Sequence, residues 1–370
     1  MANGPIPTIT TPSVLKGGTL EGPDVVTALN LYKTDKHYPL PRGTQPVVIG
    51  SDPSCGIPIR SNFVSSRHCQ LVRRWGGLRV TDQDSKNGLW FQGARERSFE
   101  LRPGQVFNVG AFEHRFLALN DEMSAAFPEL VDILGAEEEH ALRSDTPSPS
   151  DLVVAAVNVG HVLVTSERDC QQERLARIVH AISMYRKRPI LEPDLNGPVS
   201  TLADIAKRSA VRSTLVLNLG ERTDRLPKTF LSSVFAPPHQ IRVIVLAASV
   251  DVAVDALGVD NVTMMQRVWL RPLGMRPEAI PRLLDRMFEE RGSTLRFAHM
   301  TPENQAALRA NNWEGNFTSL RHAADYLVVI ARSASILQAA RTLGISSSTF
   351  YHWYSKTMGF KGKTLVSPAK

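Results

Sequence analysis

Residues 162–183 read VLVTSERDCQQERLARIVHAIS. A short apolar run, Val162-Leu163-Val164, passes into a polar stretch, after which Leu175, Ile178, Val179 and Ile182 recur at i, i+3, i+4 and i+7. That spacing places four apolar side chains on one face of a helix. Strand, loop, helix is the frame in which a glycine-rich loop cradles phosphate, because backbone N–H groups opening the helix converge on the anion. The loop here, Ser166-Glu-Arg-Asp-Cys-Gln-Gln172, holds neither glycine nor lysine. Whether the chain does chemistry turns on that loop.

Around this stretch, apolar runs at 161–165, 214–218 and 242–246 alternate with amphipathic segments, and helical material follows from Pro277. Continuous apolar strands separated by helices predict a parallel sheet covered on both faces. Upstream the pattern changes. Between residues 29 and 120 short strands are predicted at 47–49, 69–72, 78–80, 89–91, 106–109 and 116–119, separated by Asp-Pro, Gly-Gly, Asn-Gly and Pro-Gly turns. Without helical periodicity, that is the signature of a small β-sandwich. Residues 1–28, rich in Pro, Gly and Thr, read as a flexible lead. Residues 121–150 read as a connector: a helix-forming stretch with Glu137-Glu138-Glu139 as a solvated face, then a Ser/Pro linker from Ser144 to Ser150.

The chain has 370 residues, 42% apolar and 21% charged, enough for several cores. Three cysteines, Cys55, Cys69 and Cys170, fit a reducing cytosol and free thiols. The opening MANGPIPTITTPS has no basic and apolar signal pattern, and no apolar run is long enough to span a bilayer, so a soluble cytoplasmic protein is expected. The net charge of +7 is uneven. From residue 318 onward seven Lys and Arg stand against Asp325 alone, a charge of +6, so the preceding 317 residues are almost neutral. A basic end on a neutral body suggests a module that binds a polyanion.

Within the sandwich, VVIGSDPSCGIPIRSNFVSSRHCQL, LRVTDQDSKNGLWFQG and LRPGQVFNVG follow in order. The block resembles the forkhead-associated (FHA) domain, which reads phosphothreonine peptides through loops at one end of a β-sandwich. Ser65 and His68 match its Ser-x-x-His; Asp82, Ser85, Asn87, Gly88 and Gly93 match its second motif; Gly104 and Gly110 match the closing turn and strand. The resemblance implies that Ser65 binds phosphate, Asn87 holds the peptide backbone and His68 buttresses the loop. It departs at Ser51, where the family carries an arginine. A hydroxyl does not replace a guanidinium fork, so Ser66, Arg67 and Lys86 are the neighbouring candidates for donors. The alternative is a sandwich that docks proteins without phosphate.

The middle of the chain resembles the AAA+ ATPase domain of bacterial enhancer-binding proteins, the activators of sigma-54 RNA polymerase. Residues 162–183 lie along that family's phosphate-loop strand and helix, 213–218 along its second nucleotide strand, 241–248 along its sensor strand and 270–284 along the approach to its lid. Asn312-Trp-Glu-Gly-Asn-Phe-Thr-Ser-Leu320 lies along the lid motif. The catalytic positions have changed. Glycine positions hold Ser166, Asp169 and Gln171, the lysine position holds Gln172, and the metal-handling acidic pair has become Asn218-Leu219. The sensor asparagine falls on Ala248 and the lid arginine on Thr318. Phosphate, metal and sensing are lost together, which predicts a degenerate nucleotide site, no ATPase activity, no metal and no cofactor. The span 191–212 is also too short for the loop that contacts sigma-54 in that family. His161 and His180 read as core or edge histidines. Asp251 and Asp255 share a helix face without an acid–base partner.

Finally, an apolar-periodic helix over 320–330 precedes SILQAARTLGI (335–345) and SSSTFYHWYSK (346–356). Small alanines, a glycine turn and a Ser346 N-cap give helix-turn-helix spacing, with Phe350 and Trp353 or Tyr354 filling the core. This resembles the Fis-type helix-turn-helix that ends enhancer-binding proteins. The second helix would present Ser346, Ser347, Ser348, Thr349, Tyr351, His352 and Lys356 to DNA, with helix 320–330 as a dimer seam.

The expected architecture is therefore multidomain: an FHA β-sandwich (29–120), an α/β parallel-sheet AAA+-like domain with a helical lid (151–317), and an all-α helix-turn-helix (318–370). The expected function is that of a DNA-binding transcriptional regulator without enzymatic activity. Its expected partners are double-stranded DNA, a phosphothreonine-containing protein, RNA polymerase and a second copy of the chain. The alternatives are an active sigma-54-dependent ATPase and a phosphopeptide adaptor that does not bind DNA.

Overall fold

The structure, a computed structural model, describes residues 25–360 except 75–76, 111–113, 137–146, 159, 197–212, 223, 236–240 and 334. Residues 1–24, the Glu137–Glu139 run, most of the span 191–212, and Lys361, Lys363 and Lys370 lie outside the described residues. By its internal contacts the chain divides into two units, residues 1–31 with 36–121, and residues 32–35 with 122–370.

The first unit is a sandwich of two sheets. One has the order β2 (His37–Pro39), β1 (Ala28–Leu31), β11 (Arg115–Leu119), β10 (Val106–Val109), β7 (Leu89–Phe91), β8 (Ala94–Glu96). The other has β4 (Ile57–Pro58), β3 (Val47–Gly50), β5 (Cys69–Arg74), β6 (Gly77–Asp82), β9 (Ser98–Leu101). All six strands read from the sequence form. Five others escaped, for physical reasons: β1 is buried at every residue and β8 exposed at every residue, so neither alternates, and β4 is two residues long. Between the sheets lie Leu29, Ile49, Leu71, Val80, Leu89, Phe107 and Phe116, each at most 1% exposed.

In the second unit a five-stranded sheet has the order β13 (Ile190–Leu191), β14 (Ser213–Gly220), β15 (Ile241–Ala247), β12 (Val162–Ser166), β16 (Gln266–Leu270). Every pairing is parallel. β12 and β15 are buried at every residue, as strands covered on both faces must be. The two strands not foreseen, β13 and β16, form the sheet's edges, where short length and an exposed face dilute the apolar signal.

The connector carries two helices. Helix Asp121–Leu134 ends on arginines of the second unit: Arg276 donates to the carbonyls of Ile133 (2.8 Å) and Asp132 (3.2 Å), and Arg282 and Arg286 pair with the Asp132 carboxylate. The end of the Ser/Pro stretch is the start of a helix rather than linker. Ser148 caps helix Pro149–Val157, its hydroxyl accepting from the Asp151 N–H while the Asp151 carboxylate accepts from the Ser148 N–H. Ser-Pro-Ser-Asp is a capping box with proline at the first helical position, where a missing N–H costs nothing.

A continuous apolar core runs from Leu273 through Trp313 to Phe360. Helix Asn316–Arg332 places Phe317, Leu320, Ala323, Ala324, Leu327 and Val328 in that core. That apolar face is buried within the chain. Two short helices follow, Ile336–Thr342 and Ser347–His352, joined by a turn at Gly344 whose φ of 68° suits glycine. Ala339, Ala340, Phe350 and Tyr354 are buried beneath them, and Trp353 packs edge-on against Tyr326 at 4.6 Å.

Candidate functional sites

The sandwich brings three loops together. Ser51 and Asp52 donate their N–H groups to the carbonyls of Ser65 (2.9 Å) and Ser66 (3.2 Å), stitching the loop after β3 to the Ser-x-x-His loop. A Cβ on Gly50 would sit 2.1 Å from the Ser66 carbonyl oxygen, so glycine is required there by close approach. His68, fully buried, accepts from the Ser65 N–H at Nδ1 (3.1 Å), which leaves Nε2–H to donate to the Gly88 carbonyl (2.9 Å). One ring thus ties the first loop to the third, in the buttressing position the resemblance implied.

The third loop is held by its own hydrogen bonds. The Asp82 carboxylate accepts from the Ser85 hydroxyl (2.5 Å) and N–H (3.2 Å), and Ser85 Oγ accepts from the Gly88 N–H (3.0 Å). The Lys86 N–H donates to Ser65 Oγ at 3.2 Å. Ser65 accepts that bond and retains its own hydroxyl proton for a further acceptor. Asn87 Nδ2 donates to the Phe63 carbonyl (2.9 Å), so in this structure its amide holds the loop. Ser66, Arg67 and Lys86 are exposed around Ser65. The Ser54 N–H, donating at 2.8 Å, holds the Asp52 carboxyl below its usual range. The sequence reading missed Phe63, 53% exposed at the rim, and Arg95, which donates to the Lys86 carbonyl at 3.5 Å. No local spacing marked either.

In the second unit, the loop after β12 holds two non-glycine residues in left-handed backbone. Asp169 and Gln171, where the resemblance to the AAA+ loop expected glycine, adopt φ of 60° and 69°, the left-handed region that glycine occupies freely. Tertiary bonds hold them there. Asn316 Nδ2 donates to the Arg168 carbonyl (3.0 Å), the Phe317 N–H to the Asp169 carbonyl (3.3 Å), and Arg321 to Gln171 Oε1 (3.1 Å). Cys170 points inward, and burial with the nearby Glu167 pushes its thiol up to about 12.

Beyond the carboxyl ends of β12, β14 and β15 lies a cavity of about 470 Å³, whose wall includes Ser166, Glu167, Arg168, Gln172, Asn218 and Glu221. Open parallel sheets bind ligands at this place. Ser166, Gln172, Asn218 and Ala248 of the expected degenerate site line it; Asp169 and Gln171 shape the loop behind. The walls do not suit polyphosphate. Among the described residues Arg168 is the only cation on the wall, and it is paired with Glu221 at 3.1 Å. Glu221 went unnoticed in the sequence because nothing local ties it to residue 168.

The histidines behave as core residues: His161 accepts from the Val243 N–H (3.1 Å), and His180 Nδ1 bonds the Thr214 hydroxyl (2.9 Å). Asp251 and Asp255 lie exposed on helix Val250–Leu257. Among the described residues no cluster of His, Cys, Asp and Glu has metal-binding geometry, and no helix is long and apolar enough to cross a membrane.

On the C-terminal hairpin, Ser346 caps helix Ser347–His352, its hydroxyl accepting from the Thr349 N–H (3.1 Å). Ser347, Ser348, Thr349, Tyr351, His352 and Lys356 are exposed, Tyr351 at 62%. The helix then widens into a π turn over Trp353–Thr357, closed by the Met358 N–H on the Trp353 carbonyl.

A sandwich whose Ser-x-x-His and Asp-x-x-Ser-x-Asn-Gly loops meet at one end defines a class of phosphopeptide-reading module. Residues 47–110 match the FHA domain family, and the first unit of this chain is an FHA domain. Among solved structures, the FHA domain of CT664 from Chlamydia trachomatis is similar at 23% identity and a TM-score of 0.23, covering 25% of this chain and 95% of its own. Mycobacterium tuberculosis EmbR, solved with a low affinity phosphopeptide, gives 23% identity and a TM-score of 0.23 over 25% of this chain and 24% of its own. NtrX from Brucella abortus, solved with ADP, gives 15% identity and a TM-score of 0.38, covering 56% of this chain and 66% of NtrX. No curated protein matches the chain in sequence.

Proposed function

We propose that this protein is a DNA-binding transcriptional regulator in which the FHA domain recognises a phosphothreonine-containing protein and the central α/β domain is a scaffold without ATPase activity. Phosphopeptide recognition is supported by the convergence of Ser65, Lys86 and Asn87, with Ser65 Oγ held by the Lys86 N–H and still able to donate. Arg67 and Lys86 supply the positive charge that Ser51 does not.

The observation that carries DNA binding is the hairpin's exposed hydroxyl-rich helix start. Ser347, Ser348 and Thr349 stand exposed at a capped helix start, where phosphate contacts are favourable, and Tyr351 and His352 are exposed beyond them as candidates for reading base edges. A scaffold without hydrolysis follows from walls that present carboxylates where a nucleotide would bring phosphates. RNA polymerase and a second copy of the chain remain the proposed further partners.

Footprinting on genomic fragments tests the regulator reading: discrete protected sites support it, and salt-insensitive or absent binding overturns it. Fluorescent ATP at millimolar concentration tests the scaffold reading, with no saturable binding expected.

A further inference from the structure

Ser51 leaves the first loop of the FHA domain without a guanidinium, but one reaches the same mouth from another strand. Arg95 stands on β8, opposite Trp90 in the β7–β8 pairing. Alternation puts Gly88, two residues before Trp90, on the same face, and a long side chain reaches such a diagonal neighbour. The guanidinium lies against Gly88: a Cβ there would fall 2.2 Å from Arg95 Nε, 2.9 Å from Cζ and 3.0 Å from Nη2. Nη2 also makes a long hydrogen bond to the Lys86 carbonyl at 3.5 Å. Gly88 therefore serves twice. Its φ of 75° shapes the loop, and its missing side chain leaves the seat on which the guanidinium rests.

Lys86 is also the residue whose N–H donates to Ser65 Oγ at 3.2 Å. The seat of Arg95 and the anchor of Ser65 are thus the two ends of one residue. Arg95 is exposed, and among the described residues no carboxylate lies within ion-pairing distance of it. Its fork carries five donors, of which one long bond uses a single nitrogen, so its complement is an anion. A phosphate bonded to Ser65 through one oxygen can accept from a second donor roughly 8 Å from Oγ. Arg95 Nη2 lies one residue of backbone and two hydrogen bonds away.

We propose that Arg95 is the phosphate-binding guanidinium of this FHA domain, supplied from β8 in place of position 51. Its role presupposes that the domain recognises phosphothreonine. The Ser51 N–H bonds the Ser65 carbonyl at 2.9 Å and the Lys86 N–H bonds Ser65 Oγ, so the two loops flank Ser65 and a fork resting on either faces the same phosphate.

Fluorescence anisotropy of the full chain tests this with a pool of amidated phosphothreonine peptides that carry a neutral dye and flanks randomised among uncharged residues. Phosphate is then the only anion offered. Arg95→Ala should weaken binding at least about tenfold, and Arg95→Lys less, because the charge stays while the fork is lost. Adding Ser51→Arg to Arg95→Ala should restore most of the loss. Arg102→Ala should leave affinity unchanged: it removes an equal charge beside Leu101, which pairs with Leu78 at the end of β6 remote from Asp82. β8 is exposed at every residue, so Arg95→Ala keeps the fold, and matching melting temperatures verify that. A loss in Arg95→Ala no greater than in Arg102→Ala overturns the proposal. So does a loss that Ser51→Arg fails to restore, which assigns Arg95 to holding the loop. A loss confined to a second pool with glutamate in its flanks assigns Arg95 to a peptide carboxylate and likewise overturns it. Equal binding of phosphorylated and unphosphorylated pools by the unmodified chain is a distinct result, which removes phosphothreonine recognition itself and the role of Arg95 with it.

Discussion

Asn316 and Arg168, 148 positions apart in sequence, are joined by a hydrogen bond from the Asn316 amide to the Arg168 carbonyl at 3.0 Å. The same side chain accepts from the Leu273 N–H through Oδ1 at 2.9 Å, and is almost wholly buried. One residue therefore locks the loop after β12, the turn at Leu273 and the start of helix Asn316–Arg332. Its φ of 45° adds a backbone reason for asparagine, which tolerates the left-handed region better than most residues.

Asn316→Ala should destabilise the second unit by about 2–4 kcal/mol, from two buried groups left unpaired and a left-handed alanine. Asn316→Asp keeps the acceptor for Leu273 and should fall between. Urea denaturation followed by tryptophan fluorescence reads the order, because Trp313 is buried three residues away.

Gly50 and Gly93 separate two uses of glycine. Gly50→Ala drives a Cβ into the Ser66 carbonyl and should destabilise the FHA domain by about 1–3 kcal/mol while disordering the binding loops. Gly93→Ala meets no atom within 4 Å and is strained only by its φ of 84°, so about 1–2 kcal/mol is expected. Phosphopeptide affinity should fall steeply in Gly50→Ala and stay near that of the unmodified chain in Gly93→Ala.

Fluorescence anisotropy with phosphothreonine peptides should show at least a tenfold loss in Ser65→Ala, since a charged hydrogen bond is removed. Ser51→Arg should strengthen binding by supplying a guanidinium fork. Unphosphorylated peptides should bind neither form; equal binding of both peptides would establish phosphate-independent docking.

Lys356→Ala should lower DNA affinity broadly and reduce the salt slope by about one, the signature of a single lost phosphate contact. Filter binding across a salt series measures it. Tyr351→Ala should instead alter sequence preference, since its ring is the most exposed large group on the helix.

Acid should loosen the second unit through His180. Burial holds this imidazole below its ordinary value of 6.5, so below about pH 6.5 the unfolded chain takes up a proton that the folded chain refuses. The contribution to stability is therefore complete above pH 6.5 and declines as pH falls. Melting temperatures between pH 7.5 and pH 5 should drop less steeply in His180→Gln, with both pH values serving as approximate limits around that pKa.

The amino-acid sequence by itself determined the six principal sandwich strands, the apolar strands β12, β14 and β15, the helix after Gln171 and the capped turn at Ser346. Each rests on spacing within a few residues: alternation, an apolar run, a 3.6-residue period, a serine before a helix. It also showed that the loop at 166–172 holds neither glycine nor lysine. Only the tertiary structure decided what surrounds that loop. Strand order in the parallel sheet brings residues 167, 173 and 221 to neighbouring cavity walls, and the packing of helix Asn316–Arg332 brings Asn316 to Arg168, pairings with no local spacing to announce them. Helix Asn316–Arg332 makes the same point in its simplest form. Periodicity identified its apolar face, but the face buries itself against Leu283, Phe288 and Phe350 because the helices that cover it are supplied by distant parts of the same chain.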